Sequence, residues 1–433
     1  MSDPAYSATL DWLLHLEVTR GWDLKLESVR RALELLGSPE RELSALHVAG
    51  TNGKGSTAAI AQSVLSAHGL RVGLYTSPHL SDFRERIRIG RDRIDAKSVV
   101  DLVEETRRRT AGSAVELTFF EFVTVMAFLH FARQRVDAAV IEVGLGGRLD
   151  ATNVVTPRAA IVTTIGLDHE RYLGSTIAAI AAEKGGIFKP GVPAVIGRVE
   201  DEALAVLEGI AAERKSPTIV LGRDFRAEAF ADGFRYVGRR TIPDLRLALR
   251  GSFQLDNAAV ALAGLEAAGW LAALSDEDVR QGMAEVQWPG RLEVMGEHPQ
   301  VWLDGAHNPA GAEALAREIP TLAAGRRVHL VFGVLGDKRW DLMAERLAGV
   351  VTDATLVPVP ERRSEDPARV AEAFRRFVPT VTAASGAAAV DRLLAEPSNR
   401  DAIVLVAGSL FLVGEVREHL VHKGRDQEVN ERR

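Results

Sequence analysis

The segment HVAGTNGKGST, residues 47–57, sets three glycines, a lysine and three hydroxyl residues between a short apolar run and a helical pattern. The backbone N–H groups of such a loop and the amino terminus of the helix after it converge on one point, which attracts an anion. Phosphate suits that point. The glycines let the backbone approach it, Lys54 supplies a mobile positive charge for terminal phosphates, and Ser56 or Thr57 offers a hydroxyl near a magnesium ion. The spacing departs from the usual G-x-x-x-x-G-K-[ST], because Val48 occupies the first glycine position and Gly55 stands between Lys54 and Ser56. A ligand-free glycine turn is the bland alternative, and the register of strand, loop, lysine and helix argues against it.

Other candidates fall in comparable turns. Glu142 ends a buried-looking strand in IEVGLGGRLDATN, and His169 follows another in GLDHERYLG. Both are expected at the strand edge that carries the glycine loop, where open α/β sheets bind ligands. A carboxylate and an imidazole there can hold a metal; taken singly, Glu142 reads as a cap and His169 as an ordinary hydrogen-bonding residue. With no cysteine in the chain, thiolate zinc sites, iron–sulfur clusters and disulfides are excluded, and hard cations held by oxygen or imidazole move forward. Lys184, in IAAEKGGIFKPG, reads alone as a lysine favoured by a helix terminus. LTFFEF, residues 117–122, reads alone as core aromatics opening a buried helix.

These residues need a scaffold. From about residue 44, apolar runs ending at Gly50, Ser77, Gly144 and near Gly166 alternate with helical patterns, notably Lys54 to His68 and Thr118 to Arg135. This alternation predicts a mostly parallel sheet covered by helices. Residues 217–250 read as a small antiparallel insert. After the turn-forming QWPGR, residues 287–291, the alternation restarts with VWLDGAH, RRVHLVFG, DATLVPV and DAIVLVAG. The expected fold class is α/β: a P-loop-type, mostly parallel sheet domain with a small antiparallel insert over residues 1–288, then a smaller Rossmann-like α/β domain over 289–433. The tail from His422 reads as frayed. A chain of 433 residues with 46% hydrophobic and 26% charged residues is expected to fold as a globular protein of two or three domains. A net charge of -6 gives no reason to expect a nucleic-acid or membrane-surface partner. The first residues lack a signal-peptide pattern and no apolar run is long enough to span a bilayer, so the expected location is cytoplasmic.

GTNGKGS resembles the loop of the Mur ligase superfamily, specifically its folate branch of folylpolyglutamate and dihydrofolate synthases, where glycine follows the lysine. The resemblance runs from about Leu46 to Lys338. It implies that Asn52, Gly53, Lys54, Gly55, Ser56 and Thr57 bind ATP together with Asn257 of GSFQLDNAAVA, Arg291 of PGRLE and Asp304 of LDGAHNP. It implies magnesium, one or two ions, at Ser77, Glu142 and His169, and admits a monovalent cation. Lys184 matches a family lysine carbamylated by carbon dioxide and, with Lys54, is assigned to catalysis. Thr118, Phe119, Phe120 and Glu121, with Leu149, Asp150 and Ala151, match the segments lining a pteridine pocket. SPHLSDFRERI, with Arg84 and Arg86, resembles a mobile loop between the nucleotide and folate sites. Phe253 stands where the family usually has histidine, and Gly186 where it usually has alanine. His307 and Asn308 receive no role, and GVLGDKRW around Asp337 and Lys338 is a less specific match.

The resemblance implies a bifunctional enzyme, in monomeric form, that uses ATP to add L-glutamate to dihydropteroate or to a reduced folate through an acyl phosphate. An enzyme that only extends folate tails is the alternative. A muramyl peptide ligase is disfavoured because ~49 residues before the loop are too few for a nucleotide-sugar domain. A noncatalytic nucleotide switch and a ligase acting on amino-acid polymers are separable by whether turnover needs folate and glutamate.

Overall fold

The structure is a computed structural model that describes residues 3–20 and 25–431. The strands β1 (Ala45–Ala49), β2 (Val72–Tyr75), β3 (Ile87–Ile89), β4 (Asp92–Arg93), β5 (Ala138–Glu142), β6 (Ala159–Thr164), β7 (Ala194–Arg198) and β8 (Thr218–Val220) form one sheet. Their order is β4-β3-β2-β5-β1-β6-β7-β8. Only β3 and β4 run antiparallel to their neighbours. All five residues of β1 and of β5 are buried, as strands covered on both faces require. Side-chain alternation divides them between two cores. Val140 packs on one face with the helices Lys54–Ala67 and Phe253–Ala267, and Ala139 and Ile141 pack on the other with the helix Phe119–Arg133.

The strands β9 (Arg226–Phe230), β10 (Gly233–Val237) and β11 (Thr241–Leu245) form a separate antiparallel sheet. The expected insert over 217–250 therefore begins later, because the apolar run Thr218–Val220 pairs in parallel with β7 and extends the main sheet.

The second sheet contains β12 (Glu293–Met295), β13 (Gln300–Leu303), β14 (Val328–Phe332), β15 (Asp353–Leu356), β16 (Thr380–Thr382) and β17 (Ile403–Ala407), ordered β12-β13-β17-β14-β15-β16. It is parallel except for the β12 edge. The expected frayed tail is corrected: the helix Leu410–Glu431 continues through it. No helix among the described residues is long and apolar enough to cross a membrane.

The two sheets' layers meet through specific contacts. Phe253, at the start of its helix, packs against the core of the second sheet, and Leu80 packs against that sheet's other face. Ser81 Oγ donates to Gly414 O at 3.4 Å.

Candidate active site

A cleft of about 380 Å³ lies where the carboxyl ends of β1, β5 and β6 face the loop after β13 of the second sheet. Its walls include Asn52–Ser56, Ser77, Glu142, His169, Lys184, Asn257, Arg291 and Asp304. One cleft thus gathers most of the residues expected for nucleotide and metal. Thr57 is buried one position further into the helix Lys54–Ala67.

The glycine loop is shaped by its neighbours. Gly53 has φ 84°, a left-handed conformation, and a Cβ there would lie 2.4 Å from Asn257 Oδ1. A Cβ on Gly55 would lie 2.5 Å from the indole of Trp288. That contact accounts for the glycine after Lys54: the ring of the inter-domain segment occupies the volume a side chain needs. Trp288 in turn lies beneath the Arg88 guanidinium, 5.7 Å from the ring centroid.

Two lysines converge on one carbonyl. Lys54 Nζ donates to Gly50 O at 3.0 Å and to Thr51 O at 3.2 Å, and Lys184 Nζ donates to Gly50 O at 2.9 Å. Burial, assisted by the charge of Lys54, pushes Lys184 down to about 7. Its amine is therefore substantially neutral near physiological pH.

Glu142 Oε2 accepts from the backbone N–H of Ser77 at 3.1 Å, so two of the three expected metal ligands touch. Burial pushes the Glu142 carboxyl up, opposed by Lys54, the Ser77 hydrogen bond and Arg291. His169 lines the same cleft at φ 53°, and burial pushes its imidazole down to about 4, against the pull of Asp168. A neutral imidazole is the form that ligates metal. Among the described residues no three His, Asp or Glu side chains form a cage, so a cation here needs oxygens from ligand and water.

The residue next to His169 organises the cleft. Asp168 Oδ1 accepts from Lys338 Nζ at 2.7 Å, and Asp168 Oδ2 accepts from Asn308 Nδ2 at 3.0 Å. Asn308 also exchanges amide hydrogen bonds with Asn52 of the glycine loop, at 3.0 and 3.2 Å. His307 Nε2 stands 3.7 Å from Asp168 Oδ2. Burial opposes ionisation of Asp168, but His307, Lys338 and His169 outweigh it and hold the carboxyl far below the usual range. Sequence reasoning gave Asp168 no part and left His307, Asn308 and Lys338 without roles; the one available signal was an acid abutting a candidate metal ligand in GLDH.

Asp304 accepts from the backbone of Leu292 at 2.9 Å and of Ala306 at 2.9 Å, so its carboxylate fixes the loop that carries Arg291 and His307. Asn257 Nδ2 donates to Gln254 Oε1 at 2.8 Å. Phe253 makes an apolar contact with the second domain in place of any polar one.

The segments expected to line a pteridine pocket flank the cleft. Thr118 and Glu121 form a capping box on the helix Phe119–Arg133, with Thr118 N donating to Glu121 Oε2 at 2.7 Å. Phe119 lies under the Arg86 guanidinium at 5.2 Å, and Phe120 packs against Gly144 of the cleft wall. Leu149 is half-buried, and Ala151 is buried. Asp150 accepts from the backbone of Leu145 at 2.8 Å and of Thr152 at 3.0 Å. Glu121 and Asp150 thus hold backbone amides, and the aromatic faces supply the apolar surface.

Comparison with known proteins bears on this geometry. The Mur ligase middle domain matches residues 48–265, and the Mur ligase glutamate ligase domain matches residues 290–410. A dihydrofolate synthase/folylpolyglutamate synthase of Bacillus subtilis is 35% identical, covering 96% of this chain and 99% of its own. A folylpolyglutamate synthase of Lacticaseibacillus casei is 36% identical, covering 90% and 92%. The solved structure of E. coli FolC in complex with DHPP and ADP superposes with a TM-score of 0.89 at 33% identity, covering 98% of this chain and 100% of that one.

Proposed function

The chain belongs to the Mur ligase family, and on that premise we propose that it is an ATP-dependent carboxylate–amine ligase adding L-glutamate to dihydropteroate and to reduced folates. The observation that carries this reading is the single cleft that sets the glycine loop opposite Arg291 and Asp304 from the far side of the domain junction. Relatives whose names carry both synthase activities support the bifunctional form; a relative named for polyglutamylation alone makes that the second reading.

A carboxylate is a poor electrophile because its leaving group would be oxide. Its oxygen therefore attacks the terminal phosphorus of ATP, releasing ADP and leaving an acyl phosphate. Asn52 to Thr57 cradle the phosphates, Lys54 and Arg291 balance charge on the transferring group, and Asn257 and Asp304 shape the nucleotide wall. The amine of glutamate then attacks the acyl carbon, loses a proton and expels phosphate, forming the amide. Holding the reactants between two domains supplies proximity. Phe119, Phe120, Leu149 and Ala151 offer the acceptor's flat ring an apolar wall, while Thr118, Glu121 and Asp150 fix the backbone around it.

The donor set of Glu142, Ser77 and His169, with a buried carboxylate, a hydroxyl and a neutral imidazole, fits a hard divalent cation such as magnesium. Bound there, the ion would neutralise phosphate charge. Lys184, held as a neutral amine by burial, is suited to carbamylation, which would turn that amine into an anion facing the same loop. Residues 1–288 and 289–433 are taken as the two working domains.

The test is phosphate release with ATP, magnesium and glutamate, comparing dihydropteroate with tetrahydrofolate. Turnover with both is expected. Turnover with tetrahydrofolate alone selects the second reading, and none with either rejects a folate ligase.

A further inference from the structure

His47 sits in the middle of β1, three residues before the glycine loop, and is 0% exposed. Valine or leucine would pack such a strand without polar cost. The imidazole Nε2 lies 2.8 Å from Thr152 Oγ1, while Nδ1 is buried with no hydrogen-bond partner. An unpaired buried polar atom loses its hydration with no bond to replace it. A residue retained at that cost invites a reason beyond packing.

The hydrogen-bond directions give one. Thr152, also fully buried, donates its hydroxyl proton to Asp150 Oδ1. A hydroxyl has one proton, so Thr152 Oγ1 accepts from His47, which fixes the imidazole as the Nε2–H tautomer. Burial and the nearby Lys189 charge push His47 down to about 3, so the ring is a neutral donor across the working pH range. Beyond Asp150, the chain continues from Oδ2 to the backbone N–H of Leu145. Leu145 belongs to the cleft wall that starts at Glu142, and Gly144 beside it bears on Phe120.

We propose that His47 is a positioning residue for the acceptor pocket: through the Thr152 hydroxyl it holds the Asp150 carboxylate as an acceptor, and Asp150 fixes the Gly144–Leu145 backbone against Phe120. This rests on the folate-ligase reading for the identity of the acceptor. The hydrogen-bonded chain itself does not. His47→Leu removes the donor; His47→Gln keeps an amide N–H; Thr152→Val removes the hydroxyl with little change of shape.

The experiment combines steady-state kinetics, with acceptor and ATP varied separately, and amide hydrogen exchange over residues 144–152. His47→Leu and Thr152→Val are expected to raise the acceptor KM about tenfold or more while leaving the ATP KM within about twofold, the scale on which supporting hydrogen bonds act. His47→Gln is expected to restore most of the acceptor KM, and the Leu/Val double variant to be no worse than the poorer single one. Exchange at Leu145 should quicken in the Leu and Val variants and slow again in Gln. If acceptor and ATP KM rise together, or if Gln behaves as Leu does, His47 is only a packing residue and the proposal falls. A wild-type protein inactive with both acceptors refutes the folate reading, while the exchange rates still decide the positioning role. Should His47→Leu fail to fold, Thr152→Val carries the same comparison.

Discussion

Asp168, from the first domain, and Lys338, from the second, form an ion pair at 2.7 Å with both side chains more than nine-tenths buried. It joins the turn that carries His169 to the loop after β14. Through Asn308 the same carboxylate is linked to Asn52, so the phosphate loop and the domain junction share one polar network.

Breaking this pair from one side should be costly. Lys338→Met leaves the Asp168 charge buried without its ammonium partner and is expected to destabilise the protein by about 3–5 kcal/mol, whereas Asp168→Asn with Lys338→Met should recover much of that loss. Thermal unfolding of the two single variants and the double variant checks this. A double variant no more stable than Lys338→Met would show that the pair is not coupled.

Lys184 gives a pH signature. Its folded value of about 7 lies below the ordinary lysine value, so between the two the unfolded chain holds a proton that the folded protein has released. Stability rises with pH wherever the unfolded state binds more protons. The Lys184 contribution should therefore improve from about pH 7 upward, and be least favourable below it. Urea unfolding of wild type and Lys184→Met at pH 6 and pH 9, in carbonate-free buffer, should show the variant's relative advantage shrinking as pH rises.

Gly55 and Trp288 should behave as a lock and its key. Gly55→Ala places a methyl against the indole and is expected to cost about 1–3 kcal/mol, as overpacking does. Trp288→Leu in the same chain should return part of that stability. Thermal unfolding reads it, and equal losses with and without the indole would contradict the steric account.

Replacing the buried carboxylate of Glu142 with an amide, Glu142→Gln, keeps its shape and removes its charge. The magnesium concentration for half-maximal phosphate release should rise by about tenfold or more. Removal of divalent ions with EDTA should stop turnover in both proteins, and added magnesium should restore it. An unchanged magnesium requirement would remove Glu142 from the ion's shell.

Much of this architecture is legible in residue order. The buried runs ending at Gly50, Ser77, Gly144 and near Gly166 become β1, β2, β5 and β6, which lie side by side as β2-β5-β1-β6 at the middle of the sheet, because continuous apolarity marks a strand covered twice. The edges were harder. The strands Ile87–Ile89 and Asp92–Arg93 are short and charged, and Thr218–Val220 joins the main sheet through pairing that local pattern does not encode. The strand-edge argument set Glu142 and His169 beside the loop of Lys54, the family resemblance added Arg291, and all four line one cleft. Motif spacing did not reveal Asp168 as a node, because its partners Asn308 and Lys338 are 140 and 170 residues away in sequence. Nor did it reveal that Glu121 and Asp150 hold backbone amides, since a carboxylate looks alike in sequence whether it faces ligand or chain.

The Lys54 ammonium and the Lys184 amine share the oxygen of Gly50. Burial, with the Lys54 charge behind it, keeps the second amine from holding its proton. A polyanion drawn to Lys54 would offset that charge and make Lys184 easier to protonate. Capture of such a ligand is then coupled to proton uptake, and its affinity should depend on pH near 7.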